Sequence, residues 1–397
     1  MSWIALKMLV GDRPKFYGIV MGLTFAALLI TQQGSIFCGL MLRTAAQISD
    51  ITGADLWVMD PNVRFIDDVK PMSENNLYRV RGVEGVRWAV PLYKGLARAK
   101  LNTFDLDGTP REVIEQVILL GLDDSSMVGA PPPGRVYVGS LNDLRRPDAI
   151  MVDQVGLRKL FPGQKGEGDD PAALRRFVGR ELEMNDRRAI IVGICEATRT
   201  FQSNPVVYTT YSRAKHYVPR ERKLLSYVLA KTKPGLDPKD VAGRIKNQTG
   251  LGAQTSDEFM WMTIQYYMSS TGIPINFGIT AALGFLVGTA IAGQTFYNFT
   301  LDNLKQFGAL KAMGATNFRI VKMILLQALV VGLLGYGLGV GLAAVFGWKT
   351  QGTELAFFTP WWLLPITGGA VVLICLLASL LSVRRVVVLE PAVVFRG

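Results

Sequence analysis

Four long runs without a charged residue constrain this chain more than any other feature. They cover residues 16–42, 259–301, 323–348 and 355–383, and each is longer than the roughly 20 residues that a membrane-spanning helix needs. A water-soluble domain would spread its apolar residues along the sequence, whereas here they are concentrated towards the two ends. The sequence therefore predicts four transmembrane helices, one before and three after a long central segment.

The second run is too long for a single span. Gly272, Pro274 and Asn276 interrupt it, so we place its membrane part at residues 275–299 and expect an amphipathic helix over 258–271 before it. The first run is well above the roughly 7 to 15 residues of a signal-peptide core, and we interpret it as a retained anchor. The predicted spans are 16–42, 272–300, 323–348 and 361–383, with a short outer loop at 349–360.

Basic residues near the span ends predict the orientation. They are concentrated in the N-terminal segment 1–15, in the segment 301–322 and in the tail 384–397, whereas the loop between the last two spans has Lys349 and the acidic Glu354. Because cytoplasmic loops carry an excess of lysine and arginine, we expect both termini and segment 301–322 in the cytoplasm. The net charge of +11 then reflects topology and contact with anionic lipids, and it does not indicate nucleic-acid binding.

The central segment, residues 43–271, is predicted to form an extracytoplasmic α/β domain. Short runs rich in β-branched and other apolar residues predict strands at 56–59, 86–90, 117–120, 149–152, 189–194, 206–210 and 227–231. Helices are predicted at 73–81, 154–161 and 238–249. Glycine- and proline-rich stretches at 129–134 and 162–171 indicate loops, the second of them an exposed excursion.

Several common kinds of catalytic and metal site are excluded because the sequence lacks the residue patterns that they require. Cys38, Cys195 and Cys375 are too scattered for a disulfide framework, and His216 has no Cys or His cluster beside it to form a metal site. The sequence has no GxxxxGK[ST] phosphate loop, no GxSxG elbow and no HExxH motif. The predicted spans contain no Asp, Glu, Lys, Arg or His, the usual residues of a proton relay or an ion-coupled pump. We therefore expect no catalytic residue and no cofactor on this chain.

Glycines four residues apart recur inside the spans. The pairs are Gly18 and Gly22, Gly284 and Gly288, Gly335 and Gly339, and Gly337 and Gly341. Such pairs let helix backbones approach closely, although glycine is also common in membrane helices without this role. We expect Gly284, Gly288, Gly335 and Gly339 to pack helices together within the bundle or at a homodimer seam.

Isolated polar side chains also occur in the spans, namely Gln32, Gln33, Gln294, Asn298 and Gln327. Hydrogen bonds between helices account for residues of this kind. The alternative is a role in lining a substrate path, for which Gln32 and Gln33 are the first candidates.

The basic segment 301–322 combines a short amphipathic helix with a turn. The pattern of Leu304, Phe307, Leu310 and Lys311 with Met313 predicts the amphipathic helix. Gly314 is expected to end it, and residues 315–317 are expected to cap the next helix. A helix of this kind fits a groove on a soluble partner, and the alternative is an ordinary solvated turn.

Three motifs resemble one family. The run KQFGALKAMGAT at 305–316 is similar to the signature between the second and third spans of FtsX-like ABC-transporter permeases, the class with MacB-type and lipoprotein-releasing systems. The runs GADLWVMDPN at 53–62 and LEPAVVFRG at 389–397 resemble the DevC branch of that class. Together with the arrangement of one plus three spans, the resemblance covers essentially the whole chain.

The resemblance implies an energy source outside this chain. Two copies of the permease would bind a separate ATPase dimer, which carries the ATP and magnesium, and an amphipathic helix at 3–10 would lie along the inner membrane surface. The residues implied in ATPase coupling are Lys305, Phe307, Gly308, Leu310, Lys311, Met313 and Gly314, with Phe307, Leu310 and Met313 as the apolar contacts. ATP-driven closure would be transmitted mechanically to the outer domain.

The resemblance also implies a location and further partners. The chain would lie in the bacterial inner membrane and export a lipid, a glycolipid or another hydrophobic cargo with a periplasmic adaptor and an outer-membrane channel. The alternative within the same class is a regulatory permease that activates a cell-wall hydrolase or senses a ligand without transport, because fold alone does not decide function.

Overall fold

The computed structural model describes residues 2–104, 110–162, 171–218, 225–351 and 353–388. The chain divides into two compact units. Met1–Leu40 and Thr271–Gly397 form a helical unit, and Met41–Ser270 form an α/β unit. The loop predicted at 162–171 falls mostly on residues 163–170, which are outside the described residues. The DevC-like run 389–397, which includes Arg396, is also outside them.

The helical unit contains four helices that are long and apolar enough to cross a membrane. Its helices are α1 (Ser2–Gly11), α2 (Arg13–Thr44, whose last turn belongs to the α/β unit), α10 (Ile273–Asp302), α11 (Leu304–Ala312), α12 (Asn317–Lys349) and α13 (Leu363–Val388). The candidate spans are α2, α10, α12 and the part of α13 at Leu363–Leu380. The predicted fold class, with one membrane helix before and three after an α/β domain, is confirmed.

The α/β unit contains the other helices and all the strands of the described residues. The strands are β1 (Leu56–Met59), β2 (Val86–Phe104), β3 (Pro110–Leu122), β4 (Val136–Val138), β5 (Ala149–Asp153), β6 (Glu181–Met184), β7 (Arg187–Cys195), β8 (Val206–Thr210), β9 (Tyr227–Thr232) and β10 (Gly252–Thr255). The helices are α3 (Ala46–Asp50), α4 (Asn75–Arg81), α5 (Gln154–Leu160), α6 (Pro171–Arg175), α7 (Tyr211–Tyr217), α8 (Pro238–Thr249) and α9 (Ser256–Ser270), with 3-10 turns at Pro133–Arg135 and Leu141–Arg145. All seven predicted strands are present, and β4, β6 and β10 are additional.

One mixed sheet organises this unit. Its strand order is β10-β1-β9-β2-β3-β8-β5-β7-β4, with β6 pairing both β2 and β7. The pairs β3–β8 and β5–β7 are parallel, and the other pairs are antiparallel. Strand β2 is long enough to pair with β9 through its first half and to form a hairpin with β3 through its second half.

Both faces of the sheet are covered. Successive side chains of a strand point to opposite faces, and in β1 Leu56 and Val58 enter one apolar cluster while Trp57 and Met59 enter the other. The first cluster receives side chains from helices such as α4, α7 and α8, and the second receives Phe259 from α9. A sheet buried on both faces forms a rigid frame for the loops at its edges.

Candidate docking site between α11 and α12

A sharp turn joins α11 to α12. Gly314 has a φ of 90°, in the left-handed region that a residue with a Cβ enters only with strain. The side-chain oxygen of Thr316 accepts a hydrogen bond of 3.4 Å from the backbone N–H of Arg319 and so caps α12. The predicted helix end at Gly314 and the predicted cap of the next helix are confirmed.

Two of the three predicted apolar contact residues are buried. Phe307 is 0% exposed in a cluster with Leu9, and Leu310 is 8% exposed in a cluster with Ala5 and Met323. Enclosed side chains cannot contact another protein unless the helical unit rearranges. The prediction that both belong to an external contact surface is wrong, because α11 turns its apolar face inward onto α1 and α12.

The exposed apolar side chains lie on either side of the turn. Met313 is 76% exposed and directly follows α11, and Phe318 is 78% exposed in the first turn of α12. Large apolar side chains exposed together are typical of a protein-contact site. Sequence reasoning missed Phe318, although an aromatic residue between the polar Asn317 and Arg319 could have indicated it.

The remaining predicted coupling residues have different surroundings. Lys305 and Gly314 are exposed, and Gly308 is buried. The Lys311 ammonium donates a hydrogen bond of 3.0 Å to the carbonyl oxygen of Val387, near the end of α13. Lys311 therefore ties α11 to α13, while Lys305 and Gly314 stay on the surface.

Helix α1 is held against α12 by a buried side chain. Gln327 is 0% exposed, and its Nε2 donates a hydrogen bond of 2.8 Å to the carbonyl oxygen of Ala5. This is an interhelical hydrogen bond of the kind expected for Gln327. The outer side of α1 carries Trp3, whose ring lies 4.1 Å from the Lys7 ammonium.

A cluster of charges connects two helix ends on the same unit. The Lys15 ammonium, near the start of α2, contacts Asp12 at 2.7 Å and also contacts Asp302 at the end of α10. The start of α2 and the end of α10, which α11 follows directly, are therefore joined by one cation.

The predicted packing glycines lie where α2 meets its neighbours. A Cβ added at Gly288 of α10 would lie 2.4 Å from the Cβ of Ala26, and one added at Gly339 of α12 would lie 2.6 Å from the Cβ of Ala27. Gly284 and Gly335 likewise face Leu29 and Leu23 of α2. In the described part of the chain, no atom outside their own helix lies within 4 Å of a Cβ added at Gly337 or Gly341.

The polar candidates Gln32 and Gln33 are half-buried on α2. Their neighbours on α2 make hydrogen bonds to other segments. Thr31 donates to the hydroxyl of Thr367 in α13 at 3.4 Å, and the hydroxyls of Ser35 and of Thr359, which precedes α13, are 2.8 Å apart. A substrate-lining role for the two glutamines stays a prediction. Gln294 and Asn298 are exposed on α10.

Models of two known protein families match this chain, and together they cover most of both units. The model of the MacB-like periplasmic core domain matches residues 18–248, more than half of the chain, and the model of the FtsX-like permease C-terminal region matches residues 261–391. The second match includes the whole of α11, the turn and α12.

Two relatives of this chain are both described as ABC transporter permeases. An uncharacterised ABC transporter permease of Mycobacterium tuberculosis is 24% identical over 353 residues, which cover 88% of this chain and 86% of the relative. An uncharacterised ABC transporter permease of Mycobacterium bovis is 24% identical over 251 residues, covering 61% of this chain and 66% of the relative.

Two solved structures are also similar. The periplasmic region of MacB from Actinobacillus actinomycetemcomitans aligns with 56% of this chain and 96% of its own, at 13% identity and a TM-score of 0.37. The extracellular domain of YknZ, a noncanonic ABC-type transporter from Gram-positive bacteria, aligns with 51% of this chain and 98% of its own, at 14% identity and a TM-score of 0.34.

Proposed function

Because the chain belongs to the family of MacB-like and FtsX-like ABC transporter permeases, we propose that it is the permease subunit of an exporter. ATP is hydrolysed by a separate ATPase subunit, and this chain transmits the resulting motion to its α/β unit. The observation that carries the proposal is the turn between α11 and α12, where Met313 and Phe318 are exposed beside a helix whose opposite face is buried.

The proposed contact with the ATPase is made by the two exposed side chains and the basic residues near them. Met313 and Phe318 provide apolar area, which contributes most to binding when an interface covers it fully. Lys305, Arg319 and Lys322 are exposed around them and favour an acidic rim on the partner. The coupling role of segment 305–314 is thus retained, with Phe318 added to the contact surface.

The buried residues of α11 provide the proposed path for transmission. Phe307 packs in a cluster with Leu9 of α1 and Ile19 of α2, and Leu310 packs with Met323 of α12. Close-packed interiors transmit displacement instead of absorbing it. A push on α11 therefore moves α1, α2 and α12 together, and α2 continues by chain connectivity into the α/β unit.

The family and the distribution of charge support a proposed assembly. Two copies of the permease associate in the bacterial inner membrane with both termini in the cytoplasm, and an ATPase dimer binds their cytoplasmic faces. An adaptor and an outer-membrane channel extend the path for a lipid, a glycolipid or another hydrophobic cargo, as in the DevC branch that the sequence resembles. The excess of lysine and arginine in segment 301–322 supports this orientation.

The contact surface is tested by truncating its two exposed side chains. In Met313→Ala and Phe318→Ala, we expect binding of the co-purifying ATPase to weaken about tenfold each, because truncating a central contact residue of an interface removes about 1 to 2 kcal/mol or more. The measurements are ATPase affinity and permease-stimulated ATP hydrolysis in proteoliposomes. Trp361→Ala, which removes a side chain that is 80% exposed, is the matched control.

Both variants should unfold at the wild-type temperature, since neither side chain is packed within the chain. Phe307→Ala should instead lower the unfolding temperature, because it removes about 3 to 5 kcal/mol of buried packing. Unchanged ATPase affinity and stimulation in the Met313→Ala, Phe318→Ala double variant would refute the docking assignment.

A further inference from the structure

The α/β unit contains a cavity of about 650 Å³ that the coupling function does not use. This volume lies within the range of roughly 300 to 1,000 Å³ that is common for small-molecule sites. Its lining combines aromatic, amide, hydroxyl and charged side chains. The polar and aromatic members include Thr44, Gln47, Phe65, Asp67, Tyr93, Lys94, Thr200, Phe201, Gln202, Asn204, Ser226 and Tyr267.

The charges in the cavity balance each other. The Lys94 side chain is 6% exposed, and its ammonium forms an ion pair with Asp67. The backbone N–H of Lys94 donates a hydrogen bond of 3.1 Å to the Ser226 hydroxyl, which in turn donates to the Lys94 carbonyl oxygen at 3.1 Å. A ligand with a full charge of either sign would be repelled by one member of the ion pair, so the cavity favours an uncharged molecule.

Two further side chains have unused hydrogen-bonding capacity. Gln47 is 6% exposed and Thr200 is 7% exposed. Among the described residues, neither Gln47 Nε2 nor Thr200 Oγ1 has a hydrogen-bond partner. A buried polar atom without a partner is unfavourable, and it is found where an ion, a water or a ligand completes the site.

Aromatic rings form one wall of the cavity. The ring centroids of Phe65 and Tyr267 are 5.5 Å apart in an edge-to-face arrangement, and those of Phe201 and Tyr267 are 5.2 Å apart. Stacking of Phe65 on Tyr266 at 4.1 Å fixes the position of the wall from behind. Rings held in this way offer a flat apolar surface to one face of a ligand.

We propose that this cavity binds an uncharged polyhydroxylated ring, the chemistry of a sugar unit. The Gln47 amide nitrogen can only donate a hydrogen bond, the Asp67 carboxylate can only accept one, and the Thr200 hydroxyl can do both. A ligand hydroxyl meets all three requirements, whereas a carbonyl or an amide N–H meets only part of them. The C–H face of a pyranose ring is flat and apolar enough to pack on the aromatic wall.

The site lies outside the docking surface of α11 and α12, and the inference does not depend on transport. The sugar unit has two chemical sources, a free saccharide or the headgroup of a glycolipid. The two sources are separated by probing each of them on the same protein.

The experiment uses the full chain in phosphatidylcholine nanodiscs. Maltose is the free-sugar probe, and its binding is followed by saturation-transfer NMR. Nanodiscs doped with monogalactosyldiacylglycerol provide the lipid-linked probe, and glycolipid retention is followed by native mass spectrometry. We expect at least one probe to bind, with maltose alone indicating a free saccharide and retained glycolipid alone indicating a headgroup.

Two variants separate the site from nonspecific binding. Gln47→Leu and Thr200→Val should each weaken binding about tenfold, the effect of one lost hydrogen bond. The unfolding temperature should stay at or above that of the wild type, because Gln47 Nε2 and Thr200 Oγ1 have no hydrogen-bond partner among the described residues. Gln248→Leu, on the exposed side of α8, is the matched control and should bind as the wild type does.

Three results would overturn the proposal. The first is that neither probe binds. The second is that binding is unchanged in both cavity variants, which would place the sugar elsewhere. The third is that N-acetyl-trialanine amide gives saturation transfer while maltose and the glycolipid bind no better than to the Gln47→Leu variant, which would assign the cavity to a peptide.

Discussion

At the scale of single residues, Asp153 shows how burial changes the chemistry of a capping side chain. It ends β5 and caps α5, and its Oδ1 accepts hydrogen bonds from the backbone N–H groups of Val206 at 2.8 Å and Gly156 at 3.1 Å. Burial raises the pKa of this carboxyl from 3.8 to about 6, and the backbone hydrogen bonds only partly offset the rise. The ionised form is therefore disfavoured in the folded chain by about 3 kcal/mol.

This carboxyl gives the α/β unit a pH dependence of known sign. A group whose pKa is raised on folding contributes stability below its unfolded pKa and loses that contribution as the pH rises through its folded pKa. Asp153→Asn keeps an acceptor oxygen but cannot ionise. We expect the unfolding free energy of the wild type to fall by up to about 3 kcal/mol relative to this variant between about pH 4 and pH 7.

The measurement is denaturant unfolding of both proteins across this pH range, followed by near-ultraviolet circular dichroism of the α/β unit. Asp237→Asn, which replaces the exposed cap of α8, supplies the baseline for changing a capping carboxylate. A wild-type-minus-variant difference that stays constant with pH would contradict the prediction.

Residue identity predicted the cap of α12 but not which side chains face a partner. Thr316 and Gly314 act through the local backbone, so their roles can be deduced from neighbouring residues. Burial of Phe307 depends on α1 and α2, which are distant in sequence. An apolar stripe predicts that one face of α11 is covered, but it does not distinguish coverage by the same chain from coverage by another protein.

At the scale of elements, α2 is the helix on which two others converge. Gly288 of α10 and Gly339 of α12 both approach α2 so closely that an added Cβ would overlap atoms of α2. The Cβ of Gly339→Ala would lie 2.7 Å from the backbone carbonyl oxygen of Thr24. Backbone cannot move aside as a flexible side chain can. The small residues therefore set the distance between these helices.

Gly339→Ala should destabilise the helical unit by about 1 to 3 kcal/mol, the usual effect of overpacking a tight contact. Gly337→Ala is the matched control on the same helix, because open space surrounds that position among the described residues. It should leave stability unchanged or raise it slightly through helix propensity. Equal unfolding temperatures of the two variants in detergent would show that α2 and α12 do not pack in this way.

Strand prediction succeeded for runs that are apolar on both faces and failed for the others. Strands β5, β8 and β9 are almost fully buried, so continuous apolar sequence indicates them. Strand β6 has an exposed and a half-buried glutamate, and β4 has three residues, so neither carries a clear pattern. The second half of β2 was not predicted. In this part Arg98 and Lys100 alternate with the buried Ala97 and Ala99. This pattern indicates a half-buried strand only once the pairing with β3 is known.

At the scale of the whole molecule, the order of spans and domain was predictable, whereas the cavity was not. Runs of more than about 20 uncharged residues nearly suffice to indicate a membrane helix. The cavity is lined by residues from α2, α3, β2, β3 and α9, and from the segments that precede α4, β8 and β9. Separate segments of this kind acquire a common chemistry only when the sheet brings them together.

The orientation of the molecule gives a prediction that joins both units. After Cys38, Cys195 and Cys375 are replaced by serine, single cysteines can be introduced at exposed positions, with Lys246→Cys in α8 of the α/β unit and Val10→Cys and Met313→Cys in the helical unit. A charged maleimide cannot cross the bilayer. Added to intact spheroplasts, it should label Lys246→Cys, and it should label the other two only after permeabilisation, because the basic residues near them favour the cytoplasmic side. Labelling of Met313→Cys from outside intact spheroplasts would place the docking surface on the side of the membrane opposite to a cytoplasmic ATPase. That result would refute the proposed coupling. The sugar-binding cavity does not depend on it and is tested by its own variants.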